Sequence, residues 1–199
     1  MFLARLPLGA AVAATVALAA STAHAHIGLH PGDFAASFWA GLGHPFGGLD
    51  HLLAMVAVGL WAMQQGGRAL YAVPTAFVAS MAAGFALGFG GIDLPFVETG
   101  IVLSVLALGL AVALAVKPPL ALALPVTAAF SLCHGFAHGA EMPAESPVLL
   151  YAAGMLLGTA LLHGLGLLAA RQAQSRALPL LTRAAGAATA MAGLVLLIG

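Results

Sequence analysis

The chain has 199 residues, of which 62% are hydrophobic and only 6% charged, and its six lysines and arginines balance its six carboxylates. A soluble domain carries roughly a quarter charged residues, so a water-soluble globule is excluded, and the lack of any basic excess excludes a nucleic-acid partner. Cys133 is the one cysteine, which rules out an internal disulfide and a cysteine-rich metal site.

Residues 1–25 read as a cleavable signal peptide. Arg5 stands in a short basic region, an apolar stretch runs from Leu8 to Ala20, and Ala23-His24-Ala25 forms a small-x-small cleavage site. The remainder, 26–199, reads as one transmembrane domain. Its mean hydropathy is high, +1.08 for the whole chain, and apolar runs of about twenty residues, the length an α-helix needs to cross the hydrocarbon core, recur along it. Cutting at proline, glycine and charge places six spans near 38–63, 69–90, 95–116, 120–140, 147–170 and 179–198. The fold class expected is an all-α polytopic bundle of six transmembrane helices embedded in a lipid bilayer.

Charge orients the bundle. With the mature N-terminus outside, the inward loops hold Arg68, Lys117, Arg171 and Arg176, with Arg183 just inside the last span, as the positive-inside rule requires. Both termini then lie on the periplasmic side of a cytoplasmic membrane. The carboxylates Asp33, Asp50, Asp93, Glu98, Glu141 and Glu145 fall on or near the opposite face, where they raise the local cation concentration. Gly84-x-x-x-Gly88, Gly135-x-x-x-Gly139 and Gly154-x-x-x-Gly158 let helices approach closely. Pro45, Pro74 and Pro125 fall inside spans or at their ends, where they kink a helix.

Two stretches hold most of the polar chemistry in this apolar chain: His44-Pro45-Phe46-Gly47-Gly48-Leu49-Asp50-His51 and His134-Gly135-Phe136-Ala137-His138-Gly139-Ala140-Glu141. His134, His138 and Glu141 recur at i, i+4 and i+7, so they line one helix face, and a frayed turn at Gly139 would let Glu141 swing inward. His44 and His51 also align if the helix is continuous, which sends Asp50 elsewhere. A break among Pro45, Gly47 and Gly48 would instead turn Asp50 and His44 toward a common centre. Imidazole nitrogen with carboxylate oxygen suits a borderline divalent transition-metal ion, whereas magnesium and calcium prefer oxygen alone. The candidate metal residues are His44, Asp50, His51, His134, His138 and Glu141, with Glu98 as a contributor from a third helix. Phe77, Phe136 and Met55 read as packing. His163, in the inner half of the fifth span, reads equally as a relay or a packing residue, while His26 and His30 belong to the N-terminal tail.

Together the motifs His44-Pro-x-x-Gly-x-Asp50-His51 and His134-Gly-x-x-His138-Gly-x-Glu141 resemble those of the HupE/UreJ family of bacterial nickel permeases. The resemblance implies nickel(II) carried inward as substrate to supply hydrogenase or urease maturation, with cobalt as a second substrate and no permanent cofactor. It implies a transporter, not an enzyme. The alternative is an intramembrane metal-dependent enzyme with Glu141 as general base, but the stripe lacks the His-Glu-x-x-His order and no nucleophile motif accompanies it. Homo-oligomerisation is left open by the sequence.

Overall fold

The structure, a computed structural model, describes residues 34–199. The expected signal peptide, His26, His30 and Asp33 lie outside the described residues. Regular structure among the described residues is helical throughout: α1 (Phe34–Gly47), α2 (Leu49–Gln65), α3 (Ala69–Phe89), α4 (Val97–Ala113), α5 (Leu120–Ala140), α6 (Val148–Ser175) and α7 (Pro179–Ile198). Helices α3, α5, α6 and α7 are each long and apolar enough to cross a membrane. α1 and α2 satisfy the same criteria together although bent by 84°, and α4 is a shorter apolar helix.

The single helix expected over 38–63 is therefore two. The break falls at Gly48 and not at Pro45, which stays inside α1. Gly47 and Gly48 are adjacent, and each glycine weakens a helix by about 1 kcal/mol relative to alanine. Gly48 adopts an extended backbone, φ −100° and ψ 128°, and α2 restarts with Asp50 in its first turn. A carboxylate there suits the positive end of the helix dipole.

Helix pairing follows the small residues. A Cβ on Gly154 or Gly158 of α6 would run into the backbone of Phe38 or Leu42 in α1, and one on Gly166 into Val56 of α2. Numbers rise together along this contact, so the bent α1–α2 unit runs parallel to α6. The α3–α5 pair is also parallel: Gly84 and Gly88 abut Leu132 and Phe136, while Gly135 and Gly139 abut Met81 and Phe85. The Ser80 hydroxyl adds a bond to the Ala128 carbonyl, 2.6 Å. In the α4–α7 pair Leu106, Gly109 and Ala113 meet Gly193, Ala190 and Gly186 in turn, which makes it antiparallel. Met55, Val58, Phe77, Met81, Val105, Tyr151 and Met155 fill the interior, while Tyr71, Leu149, Leu180 and Ile198 stay exposed on the periphery.

Side-chain bonds define one end of the bundle. Trp61 Nε1 donates to the Val116 carbonyl (2.8 Å), the Gln64 amide to Val112 (3.0 Å) and Arg183 Nε to Ala113 (2.8 Å). The three acceptors lie in the last turn of α4 or just past it, where carbonyls run short of helical partners, and the Val112 carbonyl also accepts from the Ala115 N–H. The end of α2, the end of α4 and the start of α7 therefore lie together, and with them Arg68, Lys117, Arg171, Arg176 and Arg183. Asp93, Glu98, Glu141 and Glu145 fall at the opposite end.

Candidate metal centre

At the acidic end the two sequence motifs interleave. Glu141, the residue that closes α5, reaches His44 of α1 with 3.3 Å between Oε2 and Nε2. The His44 ring meets His138 of α5 edge to face at 4.7 Å, His138 meets His51 of α2 at 4.5 Å, and His51 meets His134 of α5 at 4.7 Å. The order Glu141, His44, His138, His51, His134 thus alternates between α5 and the bent unit. The exposed members stand at the acidic end, Glu141 at 58% and His44 at 32%, while the three imidazoles beyond them are largely enclosed, His138 at 1%, His51 at 12% and His134 at none.

Each motif reaches this arrangement differently. His134, His138 and Glu141 share a face because α5 is regular to Ala140. Gly139 does not fray the helix, as the sequence suggested; it packs against the Phe85 backbone, and Glu141 is held by a bond from its own N–H to the Ala137 carbonyl, 2.9 Å. In the first motif the break at Gly48 sets His44 and His51 on either side of His138, where a continuous helix would have stacked them on one face.

Hydrogen bonds assign the tautomers of two rings. Asp50 Oδ1 accepts from the His51 backbone N–H at 2.7 Å and from His51 Nδ1 at 2.8 Å. A carboxylate only accepts, so the ring proton is on Nδ1 and the lone pair is on Nε2. Asp50 therefore orients His51, as carboxylates commonly orient metal-binding imidazoles. His134 Nε2 lies 2.7 Å from Ser104 Oγ, which is also 2.6 Å from the Ile101 carbonyl. The carbonyl cannot donate, so the hydroxyl proton goes to it and Ser104 Oγ accepts from Nε2–H. That leaves the His134 lone pair on Nδ1.

His51 Nε2, His134 Nδ1 and both nitrogens of His138 are buried with no hydrogen-bond partner. Each buried orphan of this kind costs about 1–3 kcal/mol, and a row of them is the donor chemistry of a borderline divalent ion. The rings do not form a ready ligand sphere: among the described residues no group of three or more His, Cys, Asp or Glu is arranged to hold a metal ion as it stands. Edge-to-face imidazoles offer donors successively along a path, not around one point.

The remaining expected residue, Glu98, stands exposed in the first turn of α4 and makes neither an ion pair nor a ring contact with the row. Three neighbours were not expected there. Ser104 holds His134, Tyr151 places its ring 5.9 Å from His44, and Phe77, read from sequence as packing alone, lies 5.8 Å from His134. A lone hydroxyl in the apolar run of α4 was the available signal for Ser104; for Tyr151 and Phe77 there was none, since aromatic residues are common in any apolar span.

The family described as "HupE / UreJ protein" matches residues 13–196. Protein HupE of Rhizobium leguminosarum bv. viciae is 50% identical over 179 residues, covering 90% of this chain and 92% of that protein. No solved structure matches.

Proposed function

The chain belongs to the HupE/UreJ family, whose members are permease-type accessory proteins and not enzymes, and from that premise we propose that it carries nickel(II) inward across the bacterial cytoplasmic membrane to supply hydrogenase or urease maturation. Cobalt, which accepts the same ligands, is the second substrate. The observation that carries the reading is the interleaved row Glu141, His44, His138, His51, His134, which is open at Glu141 and His44 and enclosed beyond them, where its buried nitrogens stay unpartnered. Conduction needs sites strong enough to admit an ion and weak or multiple enough to release it, and successive donors suit this better than a closed sphere.

In this reading α1–α2 forms one broken span, α4 a short one, and the other helices complete six. The parallel α1–α2 with α6, the parallel α3 with α5 and the antiparallel α4 with α7 are the directions such a topology requires. The basic end faces the cytoplasm and the acidic end the periplasm, with residues 1–25 removed as a signal peptide. Glu141 and His44 then form the entrance. A divalent ion moving inward gains about 4.6 kcal/mol per 100 mV of membrane potential, enough for roughly thousandfold accumulation, so facilitated entry suffices.

The test is uptake of radiolabelled nickel into cells or proteoliposomes carrying the intact chain or its His44→Ala, Asp50→Ala and Glu141→Ala variants. Each substitution is expected to reduce uptake by about tenfold or more. Undiminished flux through all three would remove the row from the transport path.

A further inference from the structure

His163 lies on α6 outside the row just described. Its surface is 2% exposed and neither ring nitrogen has a hydrogen-bond partner. A buried histidine kept for packing ordinarily bonds through at least one nitrogen. One side chain joins it to the row: the fully buried Phe77 ring is edge-on to His163 at 5.0 Å and tilted against His134 at 5.8 Å. Phe77 therefore stands between the deepest imidazole of the row and His163. On α6, Tyr151, Met155, Thr159 and His163 recur every four residues along one slowly winding stripe, and all are buried. Tyr151 starts the stripe beside His44, and the Thr159 hydroxyl reaches Met81 Sδ at 3.4 Å. Hydroxyl, thioether and imidazole donors thus lead from the acidic end toward the basic end.

We propose that His163 is a second ligand for the divalent transition-metal ion, an inner station that receives it from His134 past Phe77 on the way to the basic end. The inference rests on the nickel-import reading. One imidazole with thioether and hydroxyl neighbours is a sparse donor set that holds a late first-row ion weakly, which suits a station the ion must leave.

The test compares nickel binding to the intact chain in detergent, by equilibrium dialysis, with nickel uptake in proteoliposomes. His163→Leu is expected to bind nickel at the outer row within about twofold of the unsubstituted chain, as a substitution outside that row should, and to import it at least about tenfold more slowly. A pure packing role predicts the reverse: a leucine relieves two unpartnered nitrogens, so the variant should import normally and unfold no earlier. Normal import by His163→Leu overturns the inner station and leaves the outer row standing. Should that variant fail to assemble, His163→Gln, polar but a poor nickel ligand, is expected to show the same split, and normal import by it overturns the station equally. Absence of nickel binding to the unsubstituted chain overturns the import reading and this inference together.

Discussion

Asp50 and His51 are joined twice: one carboxylate oxygen accepts from the backbone N–H of His51 at 2.7 Å and from its ring Nδ1 at 2.8 Å. The first bond satisfies an N–H that the break at Gly48 leaves without a helical partner. The second fixes the tautomer that frees Nε2. Asp50→Ala removes both and is expected to weaken nickel binding by about 10- to 100-fold. Asp50→Asn keeps an oxygen acceptor for both bonds and loses less. Binding by isothermal calorimetry distinguishes them, and an asparagine variant as weak as the alanine one would show that charge, not ring orientation, is what Asp50 supplies.

Gly48 gives that pair its space. A Cβ there would stand 2.6 Å from Asp50 Oδ1 and 3.2 Å from His51 Nδ1. The backbone of Gly48 is extended in a region open to any residue, so alanine meets a spatial obstacle and not a conformational one. Gly48→Ala is therefore expected to fold and melt close to the unsubstituted chain while losing nickel uptake by about tenfold. A matched melting curve and uptake measurement checks both halves, and unchanged uptake would mean that the carboxylate finds another way to hold His51.

Ser104 does for His134 what Asp50 does for His51, with a hydroxyl in place of a carboxylate. Ser104→Ala leaves a buried Nε2–H without an acceptor, a loss of about 1–3 kcal/mol in stability, and lets the ring exchange tautomers. Ser104→Thr keeps the hydroxyl and should restore the single tautomer. Nitrogen NMR of the imidazoles reads this directly, since a merely space-filling serine would leave the His134 tautomer unchanged in the alanine variant.

How far the sequence discloses this site depends on the range of the interaction. The common face of His134, His138 and Glu141 is a local property of helical period and was legible, as was the gathering of Arg68, Lys117, Arg171, Arg176 and Arg183 at one end. Which residue breaks the first span was not. Pro45 is the stronger helix breaker in isolation, yet it stays helical in α1, where it lies buried beside the close contact of α1 with α6, and the break passes to the glycine pair after it. The interleaving of His44, His138 and His51 follows from that 84° bend and from the α1–α6 contact, neither of which any window of sequence contains. The pairing itself has an order that sequence identity does not display. With α1–α2 counted as one span, the pairs one–five, two–four and three–six exchange among themselves when spans one to three are swapped for four to six, the pattern of an inverted repeat.

Two glycines of α1, two residues apart, separate packing from propensity. A Cβ on Gly41 would collide with the Tyr151 backbone of α6, whereas one on Gly43 meets nothing within 4 Å. Gly41→Ala must push α1 away from α6 and with it His44 from His138, so it is expected to destabilise by about 1–3 kcal/mol and to reduce nickel uptake. Gly43→Ala gains helix propensity, about 0.5–1 kcal/mol, with no contact to disturb and no effect on uptake. Thermal unfolding in detergent and uptake in proteoliposomes check the pair side by side. Because both substitutions add the same methyl group to the same helix, any difference between them reports the contact with α6 alone. Equal behaviour would mean that the close approach of α1 to α6 does not hold the entrance histidine in place.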